Sequence, residues 1–128
     1  MILSISLKQL RRRPDMEKTK SIFVETFGDS PTVRVLDFFL TFGEFDYSKS
    51  QVAAETGVSR VTIEPIWARL IKGRLIVKNR VVGRAEMYLL NKASPKVKEL
   101  LELDSRLGSV AADEQVEEMK IAVKARRR

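Results

Sequence analysis

The sequence predicts a mostly α-helical fold carrying one small β-hairpin, with additional helical segments toward both ends. Three observations predict it. Serines placed as helix N-caps, Ser30, Ser48, Ser59 and Ser94, each precede a run with apolar residues at three- and four-residue spacing. After Gly73 that period gives way to two short β-branched or apolar runs joined around Gly83, the pattern of a hairpin. The apolar fraction of 44% and charged fraction of 32% are those of a chain that folds around a core.

Each element has its own justification. Residues 17–27 place Ile22, Phe23 and Phe27 where one helical face or a short strand would accommodate them. Gly28-Asp29-Ser30-Pro31 is a loop ending in a cap, with proline at the first helical position, where its missing N–H costs nothing. Val33, Val35, Leu36, Phe39 and Leu40 then form the inner face of a helix ending near Gly43. Phe45-Asp46-Tyr47 is too short for a helix and reads as a one-rung strand. Ser48 with Gln51 is a capping box opening a helix over 49–56, Val52 and Ala53 inward. Gly57 supplies the left-handed residue that stops it, Val58 plugs the turn, and Ser59 caps the next helix, 60–72. That helix buries Ile63, Ile66, Trp67 and Leu70, so Trp67 is a core residue rather than a stacking platform. Strands are expected over 75–80 and 85–90. Ser94-Pro95 opens a helix to about Leu107 with the stripe Val97, Leu100, Leu101 and Leu107, and Gly108-Ser109 is expected to end it. Residues 109–128, acidic and then basic with a thin stripe of Val116, Met119 and Val123, are either disordered or a helix formed against a partner.

Four segments follow from this reading: a basic leader and short element (1–30), a compact domain (31–91), an appended helix (92–108) and a charged tail (109–128). If translation begins at Met16, residues 1–15 are a weakly structured leader.

Cysteine and histidine are both absent, which removes disulfides, thiolate and imidazole metal sites, Ser-His triads and cysteine nucleophiles together. No glycine-rich phosphate loop is present and no catalytic pair can be assembled, so neither an enzyme nor a cofactor is expected. No apolar run is long enough to span a bilayer. The apolar residues 1–7 precede Arg11-Arg12-Arg13, the reverse of a secretory signal, which predicts a cytoplasmic, nucleoid-associated protein. Scarce Asn and Gln beside abundant Lys, Arg and Glu lean toward a heat-adapted source.

The net charge is +7, and its placement matters more than its sum. Between positions 60 and 84 stand Arg60, Arg69, Lys72, Arg74, Lys78, Arg80 and Arg84 against the single acid Glu64. Such an excess in one compact stretch is the footprint of a phosphate-facing surface, although a solvated basic face has the same composition.

The informative string is Ser48-Lys-Ser-Gln-Val-Ala-Ala-Glu-Thr-Gly-Val-Ser-Arg-Val-Thr-Ile. It reads as a helix, a tight turn containing glycine, and a second helix that the first props at a steep angle. Ala53 and Ala54 allow the two to approach closely. Together with Leu70, Leu75-Ile76 and the hairpin, this string resembles the winged helix-turn-helix transcriptional regulators of bacteria and archaea over residues 31–91. The resemblance implies that the second helix lies in the major groove of double-stranded DNA with Arg60, Val61, Thr62, Glu64 and Arg69 facing it. Ser59, Arg60 and Thr62 lie at the helix N-terminus, where free N–H groups attract a phosphate; Lys49 joins this DNA-facing set. Arg60 has a phosphate or a guanine edge as its target, and Glu64 a cytosine amino group or plain solvent. Lys78, Arg80 and Arg84 lie on the wing, for the backbone or minor groove of the flanking DNA.

Two departures stand out. Pro65 lies inside the second helix and is expected to kink or loosen its N-terminus. The family has glycine immediately before the Leu-Ile that starts the wing, whereas here Gly73 comes one residue earlier and Arg74 takes that place. The helix over 95–107 has more leucine than a small core needs, and in the resembling regulators such a helix pairs two subunits; a homodimer on a palindromic site is therefore expected. The competing readings are a winged-helix module that binds another protein, or a plasmid-partition or chromatin-type DNA-organising factor.

Overall fold

The structure, a computed structural model, describes residues 21–126. It is mostly helical, with one two-stranded antiparallel sheet: α1 (Ile22–Phe27), α2 (Pro31–Thr41), α3 (Lys49–Thr56), α4 (Arg60–Lys72), β1 (Ile76–Val82), β2 (Ala85–Leu90) and α5 (Pro95–Arg126). The leader and its arginines lie outside the described residues.

Local chemistry sets the helix starts. Ser30, Ser48 and Ser59 each accept, through the side chain, the backbone N–H three residues on. Ser48 and Gln51 complete the capping box, the Ser48 N–H donating to Gln51 Oε1 at 2.8 Å. Gly57 ends α3 in the left-handed conformation, φ 69°, which returns the chain toward α4. Residues 22–27, left between helix and strand by the sequence, are a short helix; Ser21 caps it and also donates to Asp37 Oδ1 on α2 at 2.9 Å.

One core joins these elements. Phe38 and Phe39 of α2 and Val52 of α3 are fully buried, with Ile63, Trp67 and Leu70 of α4 against them. Each such side chain contributes about 1.5–3 kcal/mol on burial. Trp67 lies between Phe39 (ring centroids 5.6 Å) and Tyr88 of β2 (5.4 Å), a core residue as expected. Ile76 and Leu90, paired at the root of the hairpin, close the core from the sheet side. Gly43 lets α2 end against β2. A Cβ there would lie 2.6 Å from the Phe39 carbonyl oxygen and 2.8 Å from Leu90 Cδ2. Tyr47 forms an isolated bridge with Tyr88, each N–H donating to the other's carbonyl at 2.8 Å, which is the one-rung strand expected there.

The structure bears on three points of the sequence reading. The chain leaves α4 through a left-handed residue, but that residue is Arg74 (φ 59°), while Gly73 keeps an ordinary φ of −78°. The Asn91 side chain donates to the Arg74 carbonyl at 3.0 Å and holds the turn. Secondly, Pro65 does not end α4, which spans Arg60 to Lys72, and it stands on the exposed face. Finally, Gly108-Ser109 does not end the last helix, which continues to Arg126. Glycine in a helix costs only about 1 kcal/mol, and without a positive φ it breaks nothing. The leucine stripe of residues 95–107 is engaged within the chain. Val97 is fully buried, and Leu100, Leu101 and Leu107 pack against the core as α5 meets α1 and α2.

Candidate nucleic-acid interface

The surface of interest is built from the N-terminal turns of α4, the start of α3 and the hairpin. On α4 the apolar stripe points inward, so Arg60, Val61, Thr62, Glu64, Pro65 and Arg69 are all exposed, Val61 at 84%. Ser59 Oγ accepts from the Thr62 N–H (3.1 Å) and donates to Thr62 Oγ1 (2.9 Å), so the two hydroxyls hold each other at the helix start. The remaining N-terminal N–H groups have no intrahelical acceptor and carry the positive end of the helix dipole. Pro65 has no N–H to donate, so the Val61 carbonyl lacks its usual intrahelical donor four residues on.

The α4 acid and the α3 cation find each other: Lys49 pairs with Glu64 across the two helices. Both side chains are about half exposed, so in high dielectric the pair fixes geometry more than it stabilises.

In the hairpin, Gly83 and Arg84 form the two-residue turn between the paired ends Val82 and Ala85. Gly83 has φ 62° and Arg84 does not share it, the φ pattern of a turn suited to twisted strands. The register slips between Lys78 and Arg80, leaving Asn79 as a bulge. That bulge aims two neighbouring side chains across the sheet at one carboxylate. Arg80 donates through Nε to Asp46 Oδ2 at 2.7 Å and through Nη2 to Oδ1 at 3.2 Å, and Asn79 Nδ2 donates to Oδ2 at 2.8 Å. The Asp46 side chain is only 9% exposed. The Arg80 hydrogen bond first, and then that of Asn79, lower its pKa from 3.8 to about 2. Lys78 donates to Glu86 at 2.9 Å, and this hydrogen bond raises its pKa.

The structure thus sorts the sequence-predicted residues into two sets. Lys49, Glu64, Lys78 and Arg80 have intramolecular partners. Arg60, Arg69 and Arg84 are exposed and have none among the described residues; the same holds for Lys72 and Arg74 outside the predicted set. Asp46, Asn79 and Glu86, which decide how much charge the wing presents, escaped the sequence reading. The Asp46 contacts span 33 and 34 residues, and only the strand register brings those positions together.

Among the described residues no cluster of acidic, histidine or cysteine side chains fit to hold a metal occurs, and no helix is long and apolar enough to cross a membrane. Comparison with protein-family models, curated proteins and solved structures returns no match.

Proposed function

We propose that α2, α3, α4 and the hairpin constitute a winged helix-turn-helix that binds double-stranded DNA, and that the chain is a non-enzymatic transcriptional regulator associated with the nucleoid. The observation that carries this reading is the set of exposed cations without partners among the described residues, Arg60 and Arg69 on α4 and Arg84 at the hairpin tip. Uncompensated cations at the first residue and in the last turn of one helix, and at a hairpin tip, are what a phosphate backbone selects. In this reading α4 enters the major groove and Val61, the most exposed apolar side chain of that helix, meets a thymine methyl group. Arg84 lies on the backbone or in the minor groove beside it, and two copies occupy one palindromic site.

The test is selection of bound fragments from random duplex DNA, repeated with Arg60→Ala and Arg84→Ala. Enrichment of a palindromic motif, lost or relaxed by Arg60→Ala, is expected. Absence of any enriched motif for the unaltered chain refutes sequence-specific regulation.

A second reading draws on Val61, Val81 and Val82, which are 84%, 54% and 50% exposed on the same elements and suit a protein partner. Binding to a protein target that is insensitive to salt, with no affinity for duplex DNA, would favour it.

A further inference from the structure

Among the described residues, none lies beneath the far half of α5. Its body-facing stripe, Val97, Leu100, Leu101, Asp104, Leu107 and Ala111, ends at Ala111, and every residue from 112 to 125 is exposed. That leaves roughly 15 residues, about 22 Å of helix, projecting past the core. An unsupported helix of this length is marginal in water.

Its charge pattern makes isolation worse. Asp113 and Glu117, Glu114 and Glu118, and Lys120 and Lys124 are all like-charged pairs four residues apart, each destabilising by about 0.2–0.5 kcal/mol in a lone helix. The acids occupy 113–118 and the bases 120–128, so the segment is a small rod of opposite ends. Between them Ala112, Val116, Met119 and Val123 recur at alternating four- and three-residue spacing, the seam of a two-stranded coiled coil. Val116, Met119 and Val123 are 50%, 67% and 48% exposed.

We infer that this segment pairs antiparallel with the same segment of a second copy of the chain. Antiparallel packing sets Val116 against the partner's Met119 and Ala112 against the partner's Val123, each contact made twice by symmetry. The acidic half of each helix then lies along the basic half of the other, with Asp113 beside the partner's Lys120. A parallel pair would oppose acid to acid and base to base, and an unpaired helix sets only Glu117 and Lys120, three residues apart, against its like-charge neighbours. Only the antiparallel arrangement uses the pattern as it stands. A seam this short buries area at the low end for specific complexes, below about 1,200 Å², so the association is a reversible one. It supplies the two-copy arrangement used in the proposed function and is tested without DNA, so that the two can fail separately.

The chain has no cysteine, which makes cross-linking clean. Full-length Ala112→Cys and Val123→Cys proteins are oxidised singly and as a mixture. The mixture is expected to yield the 112–123 disulfide dimer, and neither protein alone should cross-link efficiently. Cross-linking of each protein with itself, and not in the mixture, would show a parallel pair and overturn the inference. Sedimentation equilibrium provides the second measurement. Asp113→Lys is expected to weaken dimerisation about tenfold, from two lost attractions turned repulsive, and Asp113→Lys with Lys120→Asp to restore it. A monomer at hundreds of micromolar refutes the pairing, and so does a dimer indifferent to Met119→Asp, which would place the contact elsewhere. A monomer that begins to dimerise only when residues 1–15 are removed shows that the leader covers the seam, and equally refutes it for the intact chain.

Discussion

Asp46→Asn is predicted to steepen the salt dependence of DNA binding. In the structure Arg80 donates two hydrogen bonds to the Asp46 carboxylate, so a wing cation already has its counter-charge. Asparagine keeps the shape and one acceptor but removes that charge, leaving Arg80 available to a phosphate. Each phosphate neutralised adds about −0.9 to the slope of log affinity against log salt. With Arg60, Arg69 and Arg84 unpaired, a subunit of the unaltered protein is expected to show a slope of about −2.7 from these residues, and Asp46→Asn about −3.6. Over a fourfold rise in salt that extra contact costs about 3.5-fold in affinity, so the advantage of the variant shrinks by that factor. Fluorescence anisotropy with one duplex at four salt concentrations measures it. Arg80→Ala in the Asp46→Asn background is the control, since removal of a nearby acid alone would also favour DNA. The reasoning is refuted if Asp46→Asn binds more weakly with an unchanged slope, or if the steeper slope persists without Arg80.

Three further outcomes follow from the geometry. Gly43→Ala should destabilise by about 2–3 kcal/mol through overpacking against the Phe39 carbonyl and Leu90, while Gly108→Ala, with nothing within 4 Å of the new methyl, should raise helicity and stability by up to about 1 kcal/mol. Denaturant melts and far-ultraviolet dichroism compare the two, and equal effects of one sign would contradict the placement of these glycines. Ser48→Ala removes half of the capping box and is expected to cost about 1 kcal/mol, read as a lower denaturant midpoint at unchanged slope. The Asp46 carboxyl, held at about 2 against an ordinary 3.8, gives stability that is fully present above pH 3.8 and lost as pH falls through 2. An acid titration should therefore show the unaltered protein's advantage over Asp46→Asn constant above pH 4 and closing below it; a gap that closes near neutrality would disprove the assignment.

What the sequence made legible was what neighbouring residues decide. The serine caps at Ser30, Ser48 and Ser59 lie one residue before the observed helix starts, because a cap bonds only three residues ahead. The alternation of inward and outward residues on α4 was readable for the same reason, and it placed Trp67 in the core and Val61 outside. Local rules failed where tertiary contacts choose among tolerable options. Gly108 has the residue type of a helix stop, but only a positive φ makes it one. Arg74 accepts a left-handed conformation that its residue type disfavours, and Asn91 from the far end of the hairpin holds it there. The candidate site was legible as a list of cations and illegible as a charge distribution. Which wing cations carry free charge depends on Asp46, which pairs with Arg80, and Glu86, which pairs with Lys78, and the register between strands is not a property of either strand alone.

The bulge at Asn79 has a consequence for solubility. β2 is paired with β1 along one side and, at Tyr88, with the Tyr47 rung on the other. β1, Ile-Val-Lys-Asn-Arg-Val-Val, is the outer edge, and among the described residues no strand pairs with its other side. Seven residues rich in β-branched side chains along an open edge are a template on which another molecule's strand can grow into a fibril. The extra residue twists that edge and breaks the even spacing of backbone groups that a second edge would have to match. Straightening the strand by deleting Asn79 would remove this protection and release Asp46 in the same step, turning a surface that keeps copies apart into an adhesive one.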